Sequence, residues 1–318
     1  MKRLITAALL MVSLQASALT LYVNPAKGND HNSCSKADPC KTLAGAHSLL
    51  NAARPNEHVT IVVAAGTVKK RAGFSWKYSR PPYRVTIAGA GSSKTVFDGM
   101  GYPGTWLAIS TAEGKPANIT VAKIGVRNFG TAINVQGNRD DAKRGYISGV
   151  VIDRMAFGRI GGKFTTNRKD TYAAVRMVNA RLSSVTNSTF TNIENAGRGD
   201  LLHAVYLAHY SSGNVVSGNS MNVVSGDPIR TRDKSGGNTI SGNRLVRAGV
   251  EGMFSDWYCT GSACTKATRE CQSMGNVFKN NQLGTGYTGK RIAVFKLFGS
   301  NTACGAGKRL STAGNKNI

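Results

Sequence analysis

The chain has 318 residues, with 41 Lys plus Arg against 16 Asp plus Glu, a formal net charge of +25, and 37 glycines. An apolar content of 41% suffices to bury a sizeable core and excludes charge-driven disorder. No apolar run beyond the first twenty residues is long enough to cross a bilayer, so membrane insertion is not expected.

Residues 1–18 read as a cleaved secretory signal. Lys2 and Arg3 precede the apolar run Leu4 to Leu14, and Ala16-Ser17-Ala18 supplies a small-x-small cleavage pattern. A secreted or periplasmic location follows. Cys34, Cys40, Cys259, Cys264, Cys271 and Cys304 form an even set, as disulfides in an oxidising compartment require. Cys34 with Cys40 is the favoured pair because the other four lie far along the chain. Neither CxxC nor HxxxH occurs, which argues against structural zinc.

Residues 19–58 form a cap segment. Within it Leu43, Ala46, Leu50 and Ala53 recur at helical spacing, predicting one amphipathic helix over Thr42 to Ala53. From residue 59 to 300 the chain reads as short β-branched runs broken by Gly, Asn and Ser, hence strands and turns, with 301–318 as a tail. The segment HAVYLAHYSSGNVVSGN from His203 aligns without a gap on DPIRTRDKSGGNTISGN from Asp227, a period of 24 that sets Asn214 and Asn219 on Asn238 and Asn243. A third copy starts at Glu251, is interrupted from Cys259 to Cys271, and resumes at Asn276; looser copies begin at Asn118, Gly149 and Arg181. A period of this length without an internal helix predicts an all-β solenoid capped by the N-terminal helix, its turn asparagines stacked in amide ladders.

The opening LYVNPAKGNDHNSCSKADPCKTLAGAH, the runs VTIVVAAGTV and VTIAGAGSSKTVFDG, and the NxxxxN coils resemble right-handed parallel β-helix proteins of the pectin-lyase-like superfamily. That resemblance covers nearly the whole mature chain and implies fold. Lyases, hydrolases, epimerases and adhesins share this scaffold, so function rests on the site.

The 24-residue register gives Val205, Leu207, Ile229, Thr231 and Met253 one parity, pointing inward. Tyr206, Arg230, Arg232, Phe254 and Asp256 then point outward from neighbouring coils about 4.8 Å apart. His203, Asp227 and Glu251 should stack at the strand starts, with His209, Asp233 and Trp257 as the other border. The same strip can be read as cross-strand ion pairs, with Asp227 shaping the turn before Pro228. Arg230 stacked on Arg232 favours an anionic partner. Together with basic clusters at Lys69 to Arg71, Arg139 to Arg144 and Arg168-Lys169, this predicts an acidic polysaccharide; no nucleic-acid-binding motif is present.

The expected activity is that of a secreted, monomeric polysaccharide lyase cleaving a uronic-acid-containing polymer by β-elimination. Arg230 and Arg232 would neutralise the carboxylate, Lys234 or His203 would act as base, and Tyr206, its pKa lowered by two guanidinium groups, as acid or base. Asp227, Asp256, Trp257 and Arg176 are the expected substrate-binding residues. Lys234-Ser235-Gly236-Gly237-Asn238 is similar to the KSSGN segment of chondroitinase B and its alginate-lyase relatives, which implies Lys234 as base. Those relatives' calcium-binding glutamates have no counterpart at Ile229 to Thr231, so calcium lacks an acidic ligand cluster and no metal or other cofactor is expected. A glycoside hydrolase would instead use two of Asp227, Asp233 and Asp256, about 6.5 to 9.5 Å apart if inverting. A non-catalytic adhesive protein would bind the polymer and release nothing.

Overall fold

The computed structural model describes residues 18–259, 270–298 and 310–318. Apart from Ala18, the expected signal sequence lies outside these residues, as do Cys264, Cys304 and most of the Cys259 to Cys271 insert.

Successive coils place apolar residues in register, and the core is made of these stacked columns. On one face Leu21, Ile61, Ile87, Val121, Ile152, Val185, Val216, Ile240 and Phe278 pair in that order along a parallel ladder. A second column runs Val126, Phe157, Phe190, Met221, Leu245 and Leu283. A third runs Ile133, Val175, Val205, Ile229, Phe254 and Phe295. Strand alternation turns every second residue into the solenoid, so each column is a line of buried side chains, with Phe295 at the end of the third only partly covered. The strands divide between an 11-stranded and a 15-stranded sheet. The long strands Thr95–Ile109 and Gly125–Gln136 run across the second and third faces and join them into the larger sheet. The fold is a parallel β-helix.

Strand pairing reaches further than the expected 59–300 at both ends. Leu19–Val23, from the cap segment, pairs with Val59–Val63. Ser311–Ala313 and Lys316–Asn317, from the tail, pair with Val277–Lys279 and Gln282–Leu283. The helix spans Leu43–Ala53; Thr42 caps it by accepting the Gly45 N–H at 3.2 Å, and it buries Leu43, Ala46 and Leu50. It ends at Arg54, in the left-handed region just before Pro55. Cys34 and Cys40 form the expected disulfide beside it, and Cys259 and Cys271 are also disulfide-bonded.

Hydrogen-bonded side chains fix the corners. Asn214 donates to Asn238 Oδ1 at 3.0 Å and Asn238 to Asn276 Oδ1 at 3.0 Å. Asn219, Asn243, Asn281 and Asn315 form a second ladder at 2.9 to 3.0 Å. Ser211, Ser235 and Ser273 form a third, each hydroxyl accepting the backbone N–H of the coil before. These buried amides and hydroxyls satisfy turn backbone that would otherwise be unpaired.

Candidate active site

The third face carries the expected strip, and its register holds for one coil step and then slips. Tyr206 pairs with Arg230 and Ala208 with Arg232, as the 24-residue period requires. At the next coil Arg230 pairs with Ser255 and Arg232 with Trp257, a separation of 25 residues. One additional residue in the Gly249 to Glu251 turn causes this, and a one-residue slip exchanges the faces of every side chain that follows. Ser255 and Trp257 therefore face outward, while Phe254 and Asp256, expected outside, point into the core.

Asp256 thus does not reach the cleft. It sits in the column of Leu207 and Thr231, accepting the Thr231 hydroxyl at 2.7 Å and the Ser273 N–H at 2.8 Å. Burial pushes its carboxyl up to about 6. Glu251 does not stack beneath Asp227; it is exposed and pairs with Lys296 at 3.5 Å. Lys234 is also outside the cleft. It follows Asp233 in the left-handed region, and its ammonium lies 5.5 Å from the Tyr210 ring.

A cleft of about 530 Å³ lies over the strands His203–Ala208, Ile229–Arg232 and Gly252–Trp257. His203, Tyr206, Asp227, Arg230, Arg232, Glu251 and Trp257 line it, together with residues the sequence reading passed over: Tyr172, Arg198, Asp200, Leu201, Val250 and Phe298. Arg176 pairs with Tyr206 one coil earlier on the same outward side.

Both arginines of the strip have carboxylates within the chain, so their stacking does not by itself require an external anion. Arg230 donates to Asp227 Oδ2 at 2.8 Å and to Ser255 Oγ at 2.9 Å, and lies 4.9 Å from the Phe298 ring. Arg232 clasps Glu270 through contacts of 2.6, 2.9 and 3.1 Å and lies 4.3 Å over the Trp257 ring. The other Asp227 oxygen accepts the N–H groups of Val250, Glu251 and Gly252 at 2.9 to 3.1 Å. Burial alone would raise the Asp227 pKa; the Arg230 charge and these N–H groups more than offset it and hold the carboxyl below its usual range.

His203 is buried, and its Nδ1 lies 2.7 Å from the Asp227 carbonyl. A carbonyl only accepts, so Nδ1 carries the proton and Nε2 the lone pair. Burial, then the Arg230 charge, depress its pKa to about 3, so the ring is neutral at physiological pH. The Tyr206 ring stands 5.3 Å away. The expectation of an acidified phenol is reversed: burial raises the Tyr206 pKa, and Arg232 and Arg230 only partly oppose it.

His209, expected at the border, joins Asp233 and Glu270 in a buried cluster whose ligating atoms lie within 4.8 Å of one another. All four carboxylate oxygens there are engaged, by Arg232, Cys259 N–H, Cys271 N–H and His209 Nδ1. The Arg232 guanidinium supplies the local positive charge.

No family model matches the sequence, and no curated protein is similar to it. Among solved structures, the chain is similar to an alginate lyase from Paenibacillus sp. str. FPU-7, at 15% identity over 94% of this chain and 95% of that one, with a TM-score of 0.61. It also superposes on a rhamnogalacturonan lyase at 10% identity over 93% and 87% of the two chains, with a TM-score of 0.45. The catalytic domain of a GH87 alpha-1,3-glucanase matches at 13% identity over 81% of this chain and 40% of that one, with a TM-score of 0.47. The alginate-lyase likeness extends from end to end and is one of fold, the parallel β-helix. Among the described residues, no helix is long and apolar enough to cross a membrane.

Proposed function

We propose that the protein is a polysaccharide lyase that acts outside the cytoplasm on an acidic, uronate-containing polymer by β-elimination. One observation carries the reading: a neutral imidazole, His203, and a protonated phenol, Tyr206, stand 5.3 Å apart in a cleft lined by arginines. His203 Nε2 takes the C5 proton, a C4–C5 double bond forms as the C4–O4 bond breaks, and the departing oxygen takes the Tyr206 proton. The imidazolium then returns its proton to the phenolate. Arg230 and Arg232 supply positive charge at the carboxylate-bearing carbon, and the Trp257 and Phe298 rings offer apolar faces to a sugar. The scheme needs no cofactor. The base is His203 rather than Lys234, whose side chain lies outside the cleft. The chain's net charge of +25 suits capture of a polyanion.

A glycoside hydrolase is the second reading, favoured by Asp200 and Glu251, each 50% exposed at the side chain and lining the same cleft. Asp227, Asp233 and Asp256 are engaged by internal partners. Incubation with a panel of acidic polysaccharides, read for ultraviolet absorbance and reducing ends together, separates these readings. A lyase raises both signals and loses about 100-fold or more of its turnover in Tyr206→Phe and in His203→Gln. Reducing ends without absorbance, lost in Asp200→Asn or Glu251→Gln, identify a hydrolase. Salt-sensitive binding with neither signal identifies an adhesive protein.

A further inference from the structure

Arg176, Arg230 and Arg232 share the outward side of the strip, with Tyr206 between Arg176 and Arg230, and two of them are already paired with carboxylates of the chain. Asp227 holds Arg230 and Glu270 holds Arg232. Arg176 has no carboxylate within 4.0 Å among the described residues. Its Nη1 donates to two neutral acceptors, Asn134 Oδ1 at 3.3 Å and Gln136 Oε1 at 3.1 Å, and its Nε is buried without any hydrogen-bond partner. Burial, and then the like charges of Arg139 and Arg232, lower its pKa, although Tyr206 and Tyr172 oppose this. A half-buried guanidinium among other cations, with a donor unsatisfied, is costly for the fold alone. Its Nη2, which makes no hydrogen bond among the described residues, suits a carboxylate oxygen, since a charge-assisted pair is the strong form of this contact.

We infer that Arg176, with Asn134 and Gln136 positioning it, binds a carboxylate of the substrate one coil away from Tyr206 and so determines selectivity for acidic sugars. The inference rests on the lyase reading of the same cleft and extends it along the solenoid axis. Asn134, Arg176, Tyr206, Arg230 and Ser255 are consecutive outward partners across five coils. Coils about 4.8 Å apart present one such residue per step, close to the rise of one pyranose, so a chain lying along the column meets Arg176 with the sugar next to the one at Tyr206. Arg230 and Arg232, held by Asp227 and Glu270, shape and charge the cleft, and Arg176 keeps its Nη2 for the ligand.

The test is titration calorimetry with galacturonate, alginate and chondroitin oligosaccharides and their carboxyl-reduced counterparts. Wild type, Arg176→Gln and Arg176→Lys are compared, with product absorbance followed in parallel. Wild type should bind one acidic oligosaccharide more tightly than its reduced form. Arg176→Gln should weaken the acidic ligand about 10- to 100-fold, the loss of one charge-assisted pair, and leave the reduced ligand nearly unchanged. Arg176→Lys, which keeps the charge but not the guanidinium, should fall between, and it carries the test if the glutamine variant does not fold. An Arg176→Gln protein that retains the wild-type preference overturns the inference, and the lyase reading survives if unsaturated product still forms. Loss of the preference without any unsaturated product in wild type supports the carboxylate site and sinks the lyase. A wild type that binds neither form, or both alike, overturns the two together.

Discussion

Glu270 and Arg232 are 38 residues apart in sequence and joined by contacts of 2.6 to 3.1 Å, so the end of the insert anchors directly on the cleft. The same arginine covers the Trp257 ring. Insert and indole are thereby tied to one guanidinium, and the wall of the cleft depends on an internal ion pair.

Glu270→Gln should lower stability by about 2 kcal/mol, because Arg232 then lacks its carboxylate while it stays mostly buried. Urea unfolding of Glu270→Ala, Arg232→Ala and the double variant measures the pair. A coupling of at least about 1 kcal/mol is expected, and strict additivity would show that the contact contributes nothing.

Asp256 makes stability fall as pH rises. Its folded pKa is raised, to about 6, above that of an unfolded aspartate, so its contribution is complete below about pH 3.9 and is lost as the pH climbs through about 6. Asp256→Asn keeps the core position neutral throughout. It should gain about 2 kcal/mol on wild type between pH 4 and pH 7; parallel curves of unfolding free energy against pH would refute the assignment.

Asp227 titrates in the opposite sense. Its folded pKa is depressed, so the stability it confers is present above the unfolded value of about 3.9 and is lost as the pH falls through the folded one. Asp227→Asn should tolerate the turn better than Asp227→Ala, since an amide oxygen still accepts the N–H groups of residues 250 to 252. Chemical denaturation should place the alanine variant about 1 to 2 kcal/mol below the asparagine one.

The fold was legible because core columns and corner asparagines recur at a fixed period; Val205 over Ile229 and Asn219 over Asn243 follow from a gap-free alignment. The site was legible only as far as that period lasts. The additional residue near Val250 lies in a turn with no apolar marker, so nothing local announces it, yet it reverses Phe254 and Asp256. Glu270 was out of reach because it lies at the end of a nonrepeating insert and has no counterpart in the neighbouring coils. A faint signal remained: only 16 acidic residues serve 41 basic ones, so each acid near the arginine strip is a candidate partner. The direction of the Tyr206 shift depended on burial by neighbouring coils, which residue type alone does not reveal.

Asn243→Ala tests the ladders. It removes the acceptor of the Asn219 backbone and side-chain amides and the donor to Val216 O and Asn281 Oδ1, leaving buried groups unpaired on both sides. A loss of about 3 kcal/mol is expected in denaturant titration, and a loss below about 1 would mean that the neighbouring coils close over the gap.

The amide ladders sit at the corners, whereas the cleft is built from outward positions in the middle of one face. Scaffold and chemistry therefore occupy separate letters of each repeat. A lineage can duplicate or discard a whole turn while the corner hydrogen bonds rejoin unchanged, and it can exchange an arginine for another residue on the strip without touching the corners. Single-residue insertions are the exception, as the turn at Val250 illustrates: one additional residue reassigned an aspartate from solvent to core and brought a tryptophan to the surface in its place.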